Sequence, residues 1–128
     1  MNDDTQLPRT RMLVVEDHAD TARMLRVILN RAGYLVSTAG GVAEALALAG
    51  RETFDVLISD LGLQDGSGCE LMARLQKVQP LPGIAMSGHG TEEDSIRTRE
   101  AGFAEHLVKP VEMPQLLEAI SRIMQAKE

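Results

Sequence analysis

The stretch VLISDLGLQDGSG, residues 56–68, sets the architecture. Val56–Ser59 is a near-continuous apolar run, the pattern of a strand covered on both faces rather than one with a solvated side. The run stops at Asp60. Gly62, Gly66 and Gly68 then punctuate a polar loop; their spacing is not that of a P-loop, and they read as plain turn glycines. Residues 68–79 bring Leu71, Met72, Leu75 and Val78 round at helical spacing and end before Pro80. Strand, carboxylate, loop and helix together make one unit of a parallel α/β sheet.

The same unit recurs in both directions. Apolar runs at Met12–Val15, Leu35–Thr38, Ile84–Met86 and Ala104–Val108 predict four further strands. Residues 19–32 align Ala22, Leu25, Ile28, Leu29 and Ala32, with Gly33 as the stop. Residues 41–49 align Val42, Ala45, Leu46 and Ala49, and 113–126 carry the cleanest stripe, with Leu116, Leu117, Ile120, Ile123 and Met124. The helix over 91–101 differs: Thr91 is its cap, and Ile96 is its only strongly apolar residue, so it should dock weakly and shift easily. Short connections between alternating strands and helices argue for one doubly wound parallel sheet, its topology restricted by right-handed crossovers.

The 128 residues suffice for one domain. Residues 1–10 read as a polar, frayed start and 11–128 as the domain. No apolar run approaches the roughly 18 residues of a membrane span. A net charge of −6 without a basic cluster disfavours direct nucleic-acid binding. Cys69 is the lone cysteine, which excludes an internal disulfide and suits a reducing, cytoplasmic setting.

Chemistry collects where the strands end. The first closes on Glu16-Asp17, the third on Asp60, the fourth on Ser87-Gly88 and the fifth on Lys109-Pro110. In an open sheet ordered 2-1-3-4-5 the switch point lies between strands one and three, and ligands bind outside the carboxyl ends there. Three carboxylates in one pocket call for a cation, and an all-oxygen set suits Mg²⁺ or Mn²⁺. A lysine and a hydroxyl opposite complete the parts for phosphoryl transfer onto a carboxylate.

The motifs MLVVEDH (12–18), VLISDLGLQDGSG (56–68), IAMSGHG (84–90) and HLVKP (106–110), in this order, closely resemble the receiver domain of two-component response regulators, over about residues 11–126. The resemblance implies a flavodoxin-like fold with Asp60 as phosphoacceptor. It implies Mg²⁺ ligation by Asp17, Asp60 and the Gly62 carbonyl, with Glu16 acting through water. Ser87, the Gly88 N–H and Lys109 would bind the phosphoryl group, and the Lys109–Pro110 bond would be cis. Two positions depart from the family: Gln64 stands where proline is frequent, implying a looser loop, and His106 stands where a switching Tyr or Phe is usual. Ser87 and His106 are therefore the switch candidates, and the surface formed by the fourth helix, fifth strand and fifth helix the responsive one.

Two other functions fit parts of the pattern: a receiver-like interaction module that is never phosphorylated, and a Mg²⁺-dependent phosphohydrolase with an aspartyl nucleophile. Gly62 counts against the second, because such enzymes often carry a carboxylate two residues after the nucleophile. His18, His89 and His106 fall on different segments and make no metal cluster among themselves; His18 reads as a surface residue. The implied partner is a histidine kinase or histidine phosphotransfer domain, docking beside Ala22, Leu25 and Arg26; a weak homodimer is compatible. Ala104-Glu105-His106 before the lysine, and no linker after the last helix, favour the receiver of a hybrid sensor kinase or a stand-alone relay over the front of a DNA-binding regulator.

Overall fold

A computed structural model describes residues 9–126. Five strands, β1 (Arg11–Val15), β2 (Leu35–Ala39), β3 (Val56–Asp60), β4 (Gly83–Ser87) and β5 (Glu105–Val108), alternate with helices α1 (Ala19–Arg31), α2 (Val42–Ala49), α3 (Gly68–Val78), α4 (Glu92–Ala101) and α5 (Met113–Ala126). The strands form one parallel sheet in the order β2-β1-β3-β4-β5. The α/β class and strand order are those the sequence predicts, and element bounds differ by a residue or two. Of the stretch expected to fray, residues 1–8 lie outside the described residues; Thr10 is already engaged, its carbonyl accepting the Leu35 N–H at 2.9 Å.

Strand alternation divides the core in two. Met12, Val14, Ile58, Ile84 and Met86 face α1 and α5, which contribute Leu25, Leu29, Leu116 and Ile120. Leu13, Val15, Leu57 and Ala85 face the other way, onto Val42 and Ala45 of α2 and Leu71, Met72 and Leu75 of α3. With both faces covered, the near-continuous apolar runs are explained. Two stripe residues are not core: Ala32 falls just past α1 and is exposed, and Val78, the last residue of α3, is 51% exposed. Each stripe runs on in sequence after the packed surface has ended.

α4 packs differently from the reading of its sequence. Ile96 is 47% exposed, and the helix buries Thr98 instead. Thr98 Oγ1 donates to the Ser95 carbonyl, so its hydroxyl is satisfied within the helix and a small residue can face the protein. The phase is set by Thr91, whose hydroxyl accepts the Asp94 N–H as expected of a cap.

The loop after Asp60 is not loose. Gly62–Leu63 and Gly66–Ser67 pair as a short antiparallel hairpin. Asp65, at its tip, accepts the N–H groups of Val42 at 2.8 Å and Ala43 at 3.0 Å. It thereby caps α2, whose own N-cap residue, Gly41, has no side chain to offer. A Cβ on Gly41 would collide with the Asp65 carboxylate.

Candidate functional site

The carboxyl ends of β1, β3, β4 and β5 gather the chemical groups. Glu16 follows β1 directly, its N–H bonded to the Ala39 carbonyl. Asp60 is the last residue of β3 and lies opposite Met86 in β4. Ser87 closes β4, and its carbonyl accepts the Lys109 N–H at 2.7 Å, fixing Lys109 just past the end of β5. The Lys109–Pro110 bond is cis. Gly68 opens α3 against Asp60: its N–H bonds the Leu61 carbonyl, and a Cβ there would run into the Asp60 carbonyl oxygen.

Glu16 and Asp60 are 2% and 3% exposed. Lys109 Nζ lies 2.6 Å from Asp60 Oδ1 and 3.7 Å from Glu16 Oε1. Its approach is that of an ion pair rather than an aligned hydrogen bond. Among the described residues, those two carboxylate oxygens are the buried side-chain polar atoms with no hydrogen-bond partner. Glu16, Asp17, His18 and Asp60 each present one ligand atom within 4.8 Å of the others. Buried, donor-poor carboxylate oxygens grouped this closely fit a hard divalent cation.

The charges are unequally held. Burial pushes the Asp60 carboxyl up to about 6; Lys109 opposes the rise and the neighbouring Glu16 carboxylate adds to it. Burial would raise Glu16 too, but the neighbouring Asp60 carboxyl, the hydrogen bonds of His18 and the Lys109 charge hold it below the usual range. Burial would lower Lys109, yet the two carboxylates raise it. Of the two carboxyls Asp60 therefore holds its proton the more tightly, Glu16 ionises first, and Lys109 stays charged.

Ser87 and His106 meet directly. Ser87 Oγ lies 2.7 Å from His106 Nε2 and donates to the His89 carbonyl. The β4–β5 register, which sets Ala85 opposite His106, makes this contact. His106 is half-buried, with Nδ1 3.4 Å from Ser95 Oγ of α4.

A cavity of about 390 Å³ opens on the group, lined by Asp60, Gly62, Ser87, Gly88 and Lys109 together with His18, His89, Asp94 and Arg97. His18 is exposed, as its sequence position suggests, yet its Nδ1 lies 2.9 Å from Glu16 Oε2, so it joins the carboxylate cluster. Arg97, paired with Asp94 at 2.7 Å, was not legible in the sequence, because α4 shows no clear stripe from which to phase it. Asp65 left one faint signal, an α2 whose N-cap is a glycine. On the α1 side, Ala22 and Leu25 are buried, whereas Arg26, Met24 and Val27 are exposed, the last two at 52% and 41%.

Comparison with known proteins follows the same residues. The family model described as response regulator receiver domain matches residues 12–121. The transcriptional regulatory protein GlrR of Escherichia coli is 37% identical over 110 residues, which are 85% of this chain and 25% of that protein, so the chain spans a quarter of this relative's length. A solved receiver domain protein from Methanospirillum hungatei, described as CheY-like, superimposes with a TM-score of 0.85 at 31% identity, covering 90% of this chain and 93% of that one. A response regulator from Burkholderia pseudomallei, solved with a phosphorylated aspartic acid and a calcium ion, gives a TM-score of 0.81 at 30% identity over 92% of this chain and 72% of that one.

Proposed function

Because this chain belongs to the response regulator receiver domain family of two-component signalling, we propose that Asp60 is its phosphoacceptor. The observation that carries the reading is the pairing of Asp60 with Lys109 at 2.6 Å beside the buried Glu16 carboxylate. Receiver domains work with histidine kinases or phosphotransfer proteins. Here an Asp60 oxygen forms the bond to phosphorus as the phosphorus–nitrogen bond of a partner's phosphohistidine breaks, and the departing imidazole takes up a proton. Lys109 holds a phosphoryl oxygen, with Ser87 and the Gly88 N–H on the others. Mg²⁺ or Mn²⁺, held by Asp17, Asp60 and the Gly62 carbonyl and through water by Glu16, would neutralise charge on the transferring group. The phosphorylated aspartic acid and calcium ion of the Burkholderia protein support extending this chemistry to the chain.

The partner's helical surface docks beside α1, where the exposed Met24 lines a groove with Pro110, Val111 and Met113 that reaches Glu16 and Lys109. The proposed setting is cytoplasmic, as the receiver of a hybrid sensor kinase or a stand-alone relay. Its support is the Ala104-Glu105-His106 stretch, set against a relative named as a transcriptional regulator. A reading frame with a helix-turn-helix domain behind this segment overturns that address.

The test of the phosphoacceptor is intact mass after incubation with acetyl phosphate. Wild type gains one phosphoryl group with Mg²⁺ present, and the Asp60→Asn variant gains none. Equal labelling of the variant, or full labelling in excess chelator, overturns the reading.

A further inference from the structure

The contacts of Ser87 leave its hydroxyl little choice. It carries one proton, and that proton is directed to the His89 carbonyl. Toward His106 Nε2, at 2.7 Å, Ser87 Oγ then acts only as acceptor. Nε2 must therefore carry hydrogen. In the neutral ring Nδ1 is left as acceptor, and the Ser95 hydroxyl of α4 lies 3.4 Å from it. The three contacts form one directed chain without conflict: Ser95 O–H to Nδ1, Nε2–H to Ser87 Oγ, Ser87 O–H to the His89 carbonyl. A doubly protonated ring leaves the Ser87 link unchanged and reverses only the Ser95 one.

We infer that His106 is a positioning residue that latches Ser87 away from Asp60 and ties its release to α4. The inference rests on the phosphoacceptor reading of Asp60. A phosphoryl oxygen accepts hydrogen bonds and donates none, so Ser87 can serve it only by turning its proton off the His89 carbonyl. That turn withdraws the acceptor of His106 Nε2–H. The imidazole must follow Ser87 or find another acceptor, and its second nitrogen carries the change to Ser95. A phenyl ring at position 106 could respond to vacated space but has no donor with which to hold the hydroxyl. The α4 that receives the signal presents its apolar Ile96 to solvent and buries chiefly Thr98, so little packing resists its movement.

Long-range ¹⁵N–¹H correlation of the resting wild-type protein tests the latch without any phosphoryl chemistry. Hydrogen on Nε2 is expected; a neutral ring carrying it on Nδ1 overturns the inference. Beryllofluoride with Mg²⁺, titrated against wild type and variants, tests the consequence. His106→Phe, which keeps a flat ring but has no donor, should bind roughly 3- to 10-fold more tightly, the factor expected for one net hydrogen bond. His106→Gln, which restores an N–H donor near the same reach, should return toward wild type. Ser95→Ala should keep wild-type affinity while weakening the amide shifts of residues 92–101 on binding. Unchanged affinity in His106→Phe, or a Gln variant equal to the Phe one, overturns the positioning role. If wild type itself fails to bind beryllofluoride and takes no phosphoryl group, the phosphoacceptor reading falls and the functional role of the latch with it. Hydrogen on Nδ1 in a protein that binds normally overturns the latch alone.

Discussion

Burial makes Asp60 a weaker acid than a free aspartate, and this has a measurable sign. Its carboxyl titrates near 6 when folded, against about 3.9 for a free aspartate, so the native state holds the proton more tightly. Stability then falls as pH rises from about 4 to about 6, and stays at the lower value above. Asp60→Asn cannot lose that proton. In chelator at about pH 7.5 it should be more stable than wild type by roughly 1–2 kcal/mol, after allowance for the lost Lys109 contact, and the difference should vanish near pH 4. Urea unfolding at the two pH values measures this, and identical midpoints at the higher one would refute it. Gly62 makes a second case: nothing lies within 4 Å of a Cβ built there, so the position faces open space two residues after the proposed acceptor Asp60. Gly62→Arg should fold normally and slow decay of the phosphorylated protein several-fold by shielding it from water; an unchanged half-life would show that access does not limit hydrolysis. The strand-end residues were readable because each stands where an apolar run breaks. The Ser87–His106 contact was not, because it depends on the register of two strands whose pairing no local pattern specifies.

The clearest element-level coupling is the reach of Asp65 across to α2. Its carboxyl is held below the usual range by the backbone N–H groups of Ala43 and Val42. A depressed carboxyl stabilises above its unfolded pKa and loses that contribution as pH falls through the folded value. Asp65→Ala should therefore lower Tm by about 3–6 °C near neutral pH, with a smaller effect below about pH 3. A thermal scan showing no loss at neutral pH would mean that α2 needs no cap from the loop. The helices themselves were legible where apolar residues recur over several turns, as in α1, α3 and α5. α4 was legible in extent and cap but not in orientation. Apolar spacing phases a helix only when bulky residues do the packing, and here Thr98 does it, with its hydroxyl satisfied internally.

Across the molecule, the sheet concentrates negative charge at one rim. Glu16, Asp17 and Asp60 stand within ligand reach of one another, and two of their oxygens are buried without hydrogen-bond partners. A cation that binds only the folded chain should stabilise it by about 1.4 kcal/mol at ten times its Kd. Differential scanning of wild type with Mg²⁺ should show this rise, reversed by chelator and strongly reduced in Asp17→Asn. An Mg²⁺ response equal in the variant would place the cation elsewhere.

The close approach of Gly68 to the Asp60 carbonyl also has a consequence in heredity. Any base change in the first two positions of a glycine codon either brings in a side chain or ends the chain. At Gly68 even the smallest of these, a methyl group, meets the backbone of Asp60, the proposed phosphoacceptor. In a saturation library selected for signalling, position 68 should therefore tolerate almost nothing, while Gly62, six residues earlier and facing open space, accepts many substitutions. Two glycines six residues apart, indistinguishable by composition, would then evolve at opposite speeds.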